Sequence, residues 1–336
     1  MACNLRCRHC ASSAGRPRSN ELSTKEILNI SDQLPDLLVQ EVDFTGGEPL
    51  MHPDWEEIAL HLKDLGITTQ IITNGLALNQ DTVSRIKDAG IQGVAISLDG
   101  LEQTHDHIRA YDGAFKQAML GIDLIQRAGI PVTILTTGNS LNYRELPDVL
   151  KLLSPLGVKR WRIQPLIPSG RVQNSPEMGM NMQILSEIEA FISEYEAVAR
   201  SSDILLMRSD GLGYHIDSKP DENPWLGCSA GLATCSITSD GKVKGCLALP
   251  DDLVEGDLRK NELWDIWFHP DAFAFTRKFS LDDMGSNCRL CDRNELCRGG
   301  CSAKSYSNTG HFHNDPYCLY DGKCKGSERL VIPVAP

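Results

Sequence analysis

The first two hundred residues alternate short aliphatic runs with longer amphipathic segments. In the amphipathic segments apolar residues recur at helical spacing, as in Trp55, Ile58, Ala59, Leu62 and Leu65. Six runs rich in β-branched residues predict strands at Val42–Thr45, Thr68–Thr73, Val94–Leu98, Val132–Thr136, Arg160–Gln164 and Ile204–Met207. Repeated strand–helix units with right-handed crossovers build a parallel sheet or barrel.

A glycine followed by an aliphatic residue ends four of the predicted helices. It occurs in D-L-G-I at 64–67, D-A-G-I at 88–91, R-A-G-I at 127–130 and P-L-G-V at 155–158. A left-handed residue just past a helix favours glycine. The pattern therefore predicts a partial (βα)6 barrel of the TIM-like α/β class.

Polar loops follow the predicted strands, at the barrel end where such folds place their chemistry. They are Gly46-Gly47-Glu48-Pro49, Thr73-Asn74-Gly75, Ser97-Leu98-Asp99-Gly100, Gln164-Pro165 and Ser209-Asp210. Turn chemistry alone is the alternative explanation. Only two residues precede Cys3, so the barrel either lacks its first strand or is seamed differently at its start.

The strand–helix alternation stops between Arg208 and Pro224, in a stretch rich in Asp, Gly and Pro. The chain of 336 residues is longer than one hydrophobic core usually supports. We therefore predict a barrel domain at 1–210, a linker at 211–227, a small loop-rich domain at 228–324 and a tail at 325–336. One short helix is expected around Trp264, Ile266 and Trp267.

Composition and charge exclude several classes of protein. The apolar fraction of 41% and the charged fraction of 23% are those of an ordinary globular protein. The net charge of −12 argues against nucleic-acid partners and anionic membranes. No apolar run approaches the roughly 18 residues of a membrane span, and no signal peptide precedes Cys3. These observations predict a cytoplasmic protein.

The twelve cysteines fall into two blocks, at 3–10 and 228–324. Their CxxC-type spacings, without a secretory signal, indicate metal or redox sites rather than disulfides. Cys3, Cys7 and Cys10 have the spacing C-x3-C-x2-C, and three thiolates can hold three corners of an iron–sulfur cube. The fourth iron would then be free to bind a ligand. Zinc or a chance cluster is the alternative for this triplet taken alone.

The segment C-N-L-R-C-R-H-C, with His9 before the last cysteine, resembles the radical S-adenosylmethionine (SAM) enzymes. G-G-E-P, at the end of the first complete strand, resembles the family motif for the SAM methionine moiety. The resemblance implies a cluster on the triplet and reductive cleavage of SAM to a 5′-deoxyadenosyl radical that abstracts hydrogen from a substrate. It also implies that SAM is bound by Gly46, Gly47, Glu48, Pro49, Asn74, Ser97, Asp99 and Arg109.

Roles within that SAM site also follow from the resemblance. Ser97 and Asp99 occupy the position that hydrogen-bonds the ribose in the resembling enzymes. Arg109 is similar to an arginine near the SAM carboxylate, and Asn74 lies near the same ligand. The alternatives are a surface role for Arg109 and the capping of a turn for Asn74.

The second cysteine block resembles the SPASM extension of radical SAM enzymes, which carries two auxiliary [4Fe–4S] clusters. The resemblance implies three clusters in all, with the auxiliary ligands Cys228, Cys246 and Cys301 at the first site and Cys288, Cys291, Cys297 and Cys318 at the second. Cys235 either completes the first site or is a buried free thiol, and Cys324 is a spare thiol. Paired zinc sites are the alternative. Leu247 replaces the catalytic aspartate of sulfatase maturases, which argues against formylglycine formation.

SPASM proteins most often modify peptides or proteins, and W-R-I-Q-P-L-I-P-S-G-R at 161–171 resembles stretches of peptide-maturing members. We therefore expect maturation of a ribosomally made precursor peptide by a crosslink, a thioether or an oxidation. Radical modification of a tetrapyrrole side chain is the second possibility, and a multi-cluster electron carrier the third. Candidate substrate-side and catalytic residues are Gln164, Arg171, Asp210, Tyr214 and His215.

The expected partners follow from the same resemblance. They are the precursor peptide and a low-potential electron donor such as flavodoxin or ferredoxin. We expect a leader peptide to bind either a separate protein or a segment missing from this sequence, because no peptide-recognition domain precedes the cysteine triplet. No nucleic acid or membrane is expected as a partner.

Overall fold

A sheet of six parallel strands forms the first part of the molecule in the computed structural model, which describes residues 1–212 and 227–320. The strands pair in sequence order, and every neighbouring pair is parallel. They are β1 (Glu41–Phe44), β2 (Thr68–Thr73), β3 (Gly93–Ser97), β4 (Val132–Gly138), β5 (Arg160–Pro165) and β6 (Leu205–Arg208). The predicted α/β barrel class is confirmed, and each predicted strand is present within two residues at either end.

Seven α-helices accompany this sheet, and most of them connect one strand to the next. They are α1 (Thr24–Ser31), α2 (Trp55–Asp64), α3 (Gln80–Asp88), α4 (Glu102–Arg109), α5 (Ala114–Arg127), α6 (Leu146–Leu153) and α7 (Met182–Ser201). The four predicted helix-ending glycines all adopt a left-handed conformation, with φ between 71° and 77° at Gly66, Gly90, Gly129 and Gly157. The glycine pattern therefore marks real helix ends.

The sheet is an open barrel, with β1 and β6 as its edges among the described residues. The residues before Cys3 form only an isolated parallel bridge, between Ala2 and Gly15. The six predicted strands thus account for the sheet without a strand ahead of the cysteine triplet.

The main core lies between the sheet and its helices. Ile71, Ile96 and Ile134 of three neighbouring strands are fully buried there. Trp161 of β5 is also fully buried, packs edge-on against Phe191 of α7 at 5.6 Å, and donates from Nε1 to a threonine hydroxyl. Each such side chain contributes about 1.5–3 kcal/mol by burial. The core therefore holds the strand ends rigidly.

The second part of the molecule has a small antiparallel sheet and four short helices. The strands are β7 (Ser236–Ile237), β8 (Lys242–Lys244) and β9 (Gly256–Asp257), and the helices are α8 (Leu263–Trp267), α9 (Ala274–Arg277), α10 (Asn294–Cys297) and α11 (Ser302–Thr309). The predicted short helix around Ile266 is α8, although Trp264 is half exposed rather than buried in a core.

The two parts share one hydrophobic cluster. Ile58 and Leu62 of α2 pack in it with Val243 and Phe273 of the second part. Polar contacts reinforce this junction, because the Arg18 guanidinium binds Asp240 and Asp251. The second part is therefore fixed beside the segment that follows the cysteine triplet.

Most of the predicted linker at 211–227 and all of the predicted tail at 325–336 lie outside the described residues. Among the described helices, none combines the length and apolarity needed to cross a membrane.

Candidate functional site

The segment that carries Cys3, Cys7 and Cys10 lies across the carboxyl ends of the barrel strands. The Glu48 amide donates to the Ala2 carbonyl at 2.8 Å, just after β1. On the opposite side, the Arg171 amide donates to the Cys10 carbonyl at 3.0 Å, after β5. The sheet therefore presents the cysteine segment at the end where barrel folds place their chemistry.

Two glycines allow this close approach. A Cβ atom on Gly47 would collide with the backbone carbonyl of Ala2, and one on Gly170 would collide with that of Ala11. Gly46 and Gly170 also have positive φ angles, of 116° and 65°. The sequence predicted that Gly46-Gly47 makes room for a ligand, whereas the neighbour observed at Gly47 is the cysteine segment itself.

Hydrogen-bond donors surround the three thiols, all of which are free. Backbone amides approach two of the sulfurs, Leu5 N at 3.5 Å from Cys3 and Ala14 N at 3.4 Å from Cys10. Side chains approach as well, with Asn74 Nδ2 at 3.9 Å from the Cys3 sulfur and Arg109 Nη1 at 3.8 Å from the Cys7 sulfur. Such donors favour anionic sulfur, so these residues fit three thiolate corners of an iron–sulfur cluster.

Burial raises the pKa of the Cys3 and Cys7 thiols above the ordinary value. These two cysteines thus need a metal to displace their protons. No set of three or more His, Cys, Asp or Glu side chains in the described parts of the chain is spaced for a metal ion. A four-iron cube is different from a single ion, because each thiolate binds a different iron and the sulfurs stand farther apart.

Glu48 is buried beneath the cysteine segment, with its carboxylate held by the end of β2. It accepts hydrogen bonds from the Thr73 hydroxyl at 2.7 Å and from the Asn74 amide at 2.9 Å. Burial raises the pKa of Glu48, and these hydrogen bonds oppose the rise. Pro49 begins the short helical turn Pro49–Met51 that completes this corner. The predicted SAM residues Glu48 and Asn74 therefore belong to one hydrogen-bonded corner.

Asp99 and Arg109, two of the predicted SAM residues, form a buried ion pair with each other. Arg109 Nη2 lies 2.6 Å from Asp99 Oδ2, and His9 Nε2 lies 3.3 Å from the same oxygen. The other Asp99 oxygen accepts from the Thr137 amide at 2.9 Å. Asp99 Oδ2 therefore has charged neighbours but no hydrogen bond of good geometry within the described residues, and the ribose contact stays a prediction. Ser97, half-buried at the end of β3, is the other residue for which that contact was predicted.

The charges in this pair are fixed by mutual attraction. Burial opposes the charge on Asp99, but Arg109, the two neighbouring histidines and the Thr137 amide together outweigh it, and the pKa of Asp99 lies below its ordinary value. Conversely, Asp99 and Cys7 raise the pKa of Arg109 against the effect of burial. Burial lowers the pKa of His9 and of His105 to about 4, so both imidazoles are neutral near pH 7.

Arg171, predicted on the substrate side, binds the cysteine segment. Its Nε donates to the Cys7 carbonyl at 2.9 Å and its Nη1 donates to the Ala14 carbonyl at 2.8 Å. Gln164, at the end of β5, is exposed and donates to Thr137. Asp210 is exposed in the short turn after β6. Tyr214 and His215 lie outside the described residues.

Cys228, Cys246 and Cys301 lie close to one another in the second part of the chain. The charges of Cys228 and Cys246 both act on Cys301, and burial raises the pKa of the Cys301 thiol to about 12. Cys235 directly precedes β7, and the antiparallel pairing of Ser236 with Lys244 places its backbone beside Gly245 and Cys246. Its thiol packs in the apolar cluster shared with α2, and among the described residues the charge acting on it comes from Arg277.

The second predicted set of cysteines surrounds a single cavity. Asp315 and Tyr320 line this cavity together with all four predicted ligands, which are Cys288, Cys291, Cys297 and Cys318. Burial is the main cause that raises the pKa of Cys297 to about 12 and of Cys318 to about 11. Four converging thiols around a cavity fit the ligand set of an iron–sulfur cluster. Cys324 lies outside the described residues.

The sequence analysis missed a pair of asparagines after β4. Asn142 Nδ2 donates to the Asp99 carbonyl at 2.8 Å and to the Thr137 carbonyl at 2.9 Å, and Asn139 is fully buried beside it. Their position at a strand end in G-N-S-L-N was the signal that could have identified them. The hydrogen bonds of Asn142 therefore join the loop after β4 to the backbone of Asp99.

Comparison with known protein families matches both parts of the chain. The model of the radical SAM superfamily matches residues 1–153. The model of the SPASM iron–sulfur cluster-binding domain matches residues 228–292. These two matches coincide with the cysteine segment on the barrel and with most of the second cysteine block.

Relatives by sequence span nearly the whole chain. An AdoMet-dependent heme synthase of Methanosarcina barkeri is 29% identical over 95% of this chain and 93% of its own length. A PqqA peptide cyclase of Methylocella silvestris is 28% identical over 94% of this chain and 84% of its own length.

A solved structure shares the fold. It is SuiB of Streptococcus suis bound to S-adenosylmethionine, at a TM-score of 0.76 and 19% identity, covering 95% of this chain and 75% of SuiB. SuiB has also been solved bound to its precursor peptide SuiA.

Proposed function

We propose that this chain, which belongs to the radical SAM superfamily and carries a SPASM domain, binds SAM beside the cysteine segment and abstracts hydrogen from a carbon of a peptide or protein substrate. The observation that carries the proposal is the set of three thiols that one segment presents over the strand ends, among backbone and side-chain donors. SAM cleavage requires a cluster with one iron free for this ligand.

Each residue of this site would have a separate role in holding the cluster or SAM. Cys3, Cys7 and Cys10 would hold the cluster, which with bound SAM supplies methionine and a 5′-deoxyadenosyl radical. Arg109 would stabilise the thiolate of Cys7, since its guanidinium already lies 3.8 Å from that sulfur. Glu48 and its neighbours would shape the corner that receives the methionine moiety of SAM.

Two auxiliary clusters complete the proposal, which makes three [4Fe–4S] clusters in all. Cys228, Cys246 and Cys301 would hold the first, and the four cysteines around the cavity would hold the second. Cys235 would be the fourth ligand of the first site, since the pairing of Ser236 with Lys244 places it across from Gly245 and beside Cys246. Backbone amides near these sulfurs, such as Arg293 N at 3.4 Å from Cys291, would tune the clusters.

For the substrate we favour a ribosomally made precursor peptide that acquires a crosslink, a thioether or an oxidation. Two kinds of comparison support this class, because a PqqA peptide cyclase is a relative by sequence and SuiB, a neighbour by fold, has been solved with its precursor peptide. A flavodoxin or ferredoxin would supply the low-potential electron. A separate leader-binding protein would present the peptide.

A second candidate substrate is an iron-containing or metal-free tetrapyrrole. A specific observation favours it, since the AdoMet-dependent heme synthase of Methanosarcina barkeri aligns over 93% of its length at 29% identity. Trp161, part of the run that resembles peptide-maturing enzymes, lies in the barrel core and therefore does not distinguish the two substrate classes.

One experiment separates these candidates. The anaerobically reconstituted protein is incubated with SAM and dithionite, in one arm with a short peptide encoded beside this chain and in the other with iron-coproporphyrin. Mass spectrometry then follows each substrate. Loss of hydrogens from the peptide supports the peptide proposal, and a mass change in the tetrapyrrole alone refutes it. SAM cleavage that leaves the peptide and the tetrapyrrole both unchanged would count against both substrate classes.

A further inference from the structure

Lys304 and Asp315 form an ion pair that is almost completely buried in the second part of the chain. Lys304 Nζ lies 2.7 Å from Asp315 Oδ2, and the two side chains are 3% and 2% exposed. Removing two charges from water costs several kcal/mol per ion, which their attraction recovers only in good geometry. The location of the pair, between two groups of cysteines, indicates what this costly arrangement does.

The carboxylate of the pair faces the second group of cysteines. Asp315 lines the cavity formed by the four thiols there. Its charge adds to the effect of burial in raising the pKa of Cys288, Cys297 and Cys318. A fixed negative charge therefore lies against most of the sulfurs of that site.

The ammonium of the pair reaches the first group of cysteines. Lys304 lies in the first turn of α11, whose N-cap residue is Cys301, and its backbone amide and its charge both favour the Cys301 thiolate against the effect of burial. The same charge also acts on Cys318. The pair is thus a fixed dipole, with its carboxylate in the lining of the second site and its ammonium carried by the helix that begins just after Cys301.

Local sequence holds the dipole in place. In R-G-G-C, Gly299 and Gly300 have φ angles of 78° and 83°, and a Cβ atom on Gly300 would lie 2.8 Å from the Asp315 carboxylate. The glycines therefore let the turn before Cys301 approach Asp315. The Tyr317 amide donates to the other Asp315 oxygen at 3.0 Å, which fixes the carboxylate.

We propose that the Lys304–Asp315 pair separates the reduction potentials of the two auxiliary clusters, lowering that of the second relative to the first. The inference rests on the proposed function, since it requires clusters at both sites. A reduced cluster carries one more negative charge than an oxidised one. A neighbouring carboxylate therefore disfavours reduction, and a neighbouring ammonium favours it.

The test is a redox titration of the reconstituted full-length protein, followed by electron paramagnetic resonance. Cys291→Ser, which lacks one thiol of the second site, identifies the signal of that cluster. Asp315→Asn is expected to shift the potential of the second cluster upward, and Lys304→Met to shift that of the first cluster downward. Asp271→Asn, at the exposed ion pair with Lys278, is the matched control and is expected to shift neither.

Iron and sulfide content, with SAM cleavage by the unmodified protein, separates the possible failures. A protein that binds no iron fails the proposed function itself. Full cluster content with unshifted potentials, or with both variants shifted in the same direction, overturns the inference alone. Loss of the second cluster from both variants would show that the pair only holds the loops together, and would also overturn it.

Discussion

Replacing Asp99 by asparagine removes one charge from a buried pair and leaves the shape of the side chain unchanged. Asparagine retains the oxygen that accepts from the Thr137 amide, so the loss is that of the charge facing Arg109. Arg109 is only 8% exposed, and its guanidinium would remain buried without its partner. Breaking such a pair costs about 3–5 kcal/mol. We expect the free energy of unfolding to fall by that amount.

Urea unfolding of the iron-free protein, followed by circular dichroism and extrapolated to water, measures this loss. Asp148→Asn is the control, because Asp148 pairs with Lys151 at 2.8 Å on the surface, and its change should stay below about 0.5 kcal/mol. The double variant Asp99→Asn/Arg109→Met should lose less than the sum of the two single variants, since no unpaired charge remains.

A stability of Asp99→Asn within about 0.5 kcal/mol of the unmodified protein would refute this reasoning. Arg109 would then not depend on Asp99, and the carboxylate would be available to a ligand, as the sequence resemblance implied. The result therefore decides between an internal role and a ligand-binding role for the same side chain.

Three further predictions, which use four variants, concern other parts of the molecule. Gly47→Ala should prevent the cysteine segment from docking, because its Cβ would collide with the Ala2 carbonyl, and iron per chain after reconstitution should fall by about one cluster. Cys235→Ser should lower the iron content as Cys246→Ser does, and an unchanged iron content in Cys235→Ser would show that Cys235 is a free thiol. Burial holds the pKa of His105 near 4 against an ordinary 6.5, so the unfolded chain binds the proton more tightly. His105 should therefore lower the free energy of unfolding by up to about 3 kcal/mol between pH 6.5 and pH 4, and His9 by a similar amount, so His105→Gln should make this slope about half as steep.

The sheet was predictable because its signals are local. Each strand is a short run of β-branched residues, and each helix end is marked by a glycine that adopts a left-handed conformation, such as Gly66 and Gly90. Parallel strands place their carboxyl ends on one edge, so the polar loops after β1, β2 and β3 were expected together before any contact was known.

Partners distant in sequence were not predictable. Arg171 reaches the carbonyl of Cys7 from 164 positions away, and nothing in its own neighbourhood indicates that contact. Asp99 and Arg109 were each assigned to a ligand because motif resemblance names residues but not the bonds between them. The Lys304–Asp315 pair was missed for the same reason, since two separate loops bring it together.

The central claim is that Cys3, Cys7 and Cys10 hold a cluster that binds SAM. The most direct test is to reconstitute the protein with iron and sulfide under anaerobic conditions, add SAM and dithionite, and quantify 5′-deoxyadenosine by chromatography and mass spectrometry. The account predicts 5′-deoxyadenosine from the unmodified protein and none from the variant in which all three cysteines are alanine. Formation of 5′-deoxyadenosine by that variant, or zinc in place of iron at every site, would contradict it.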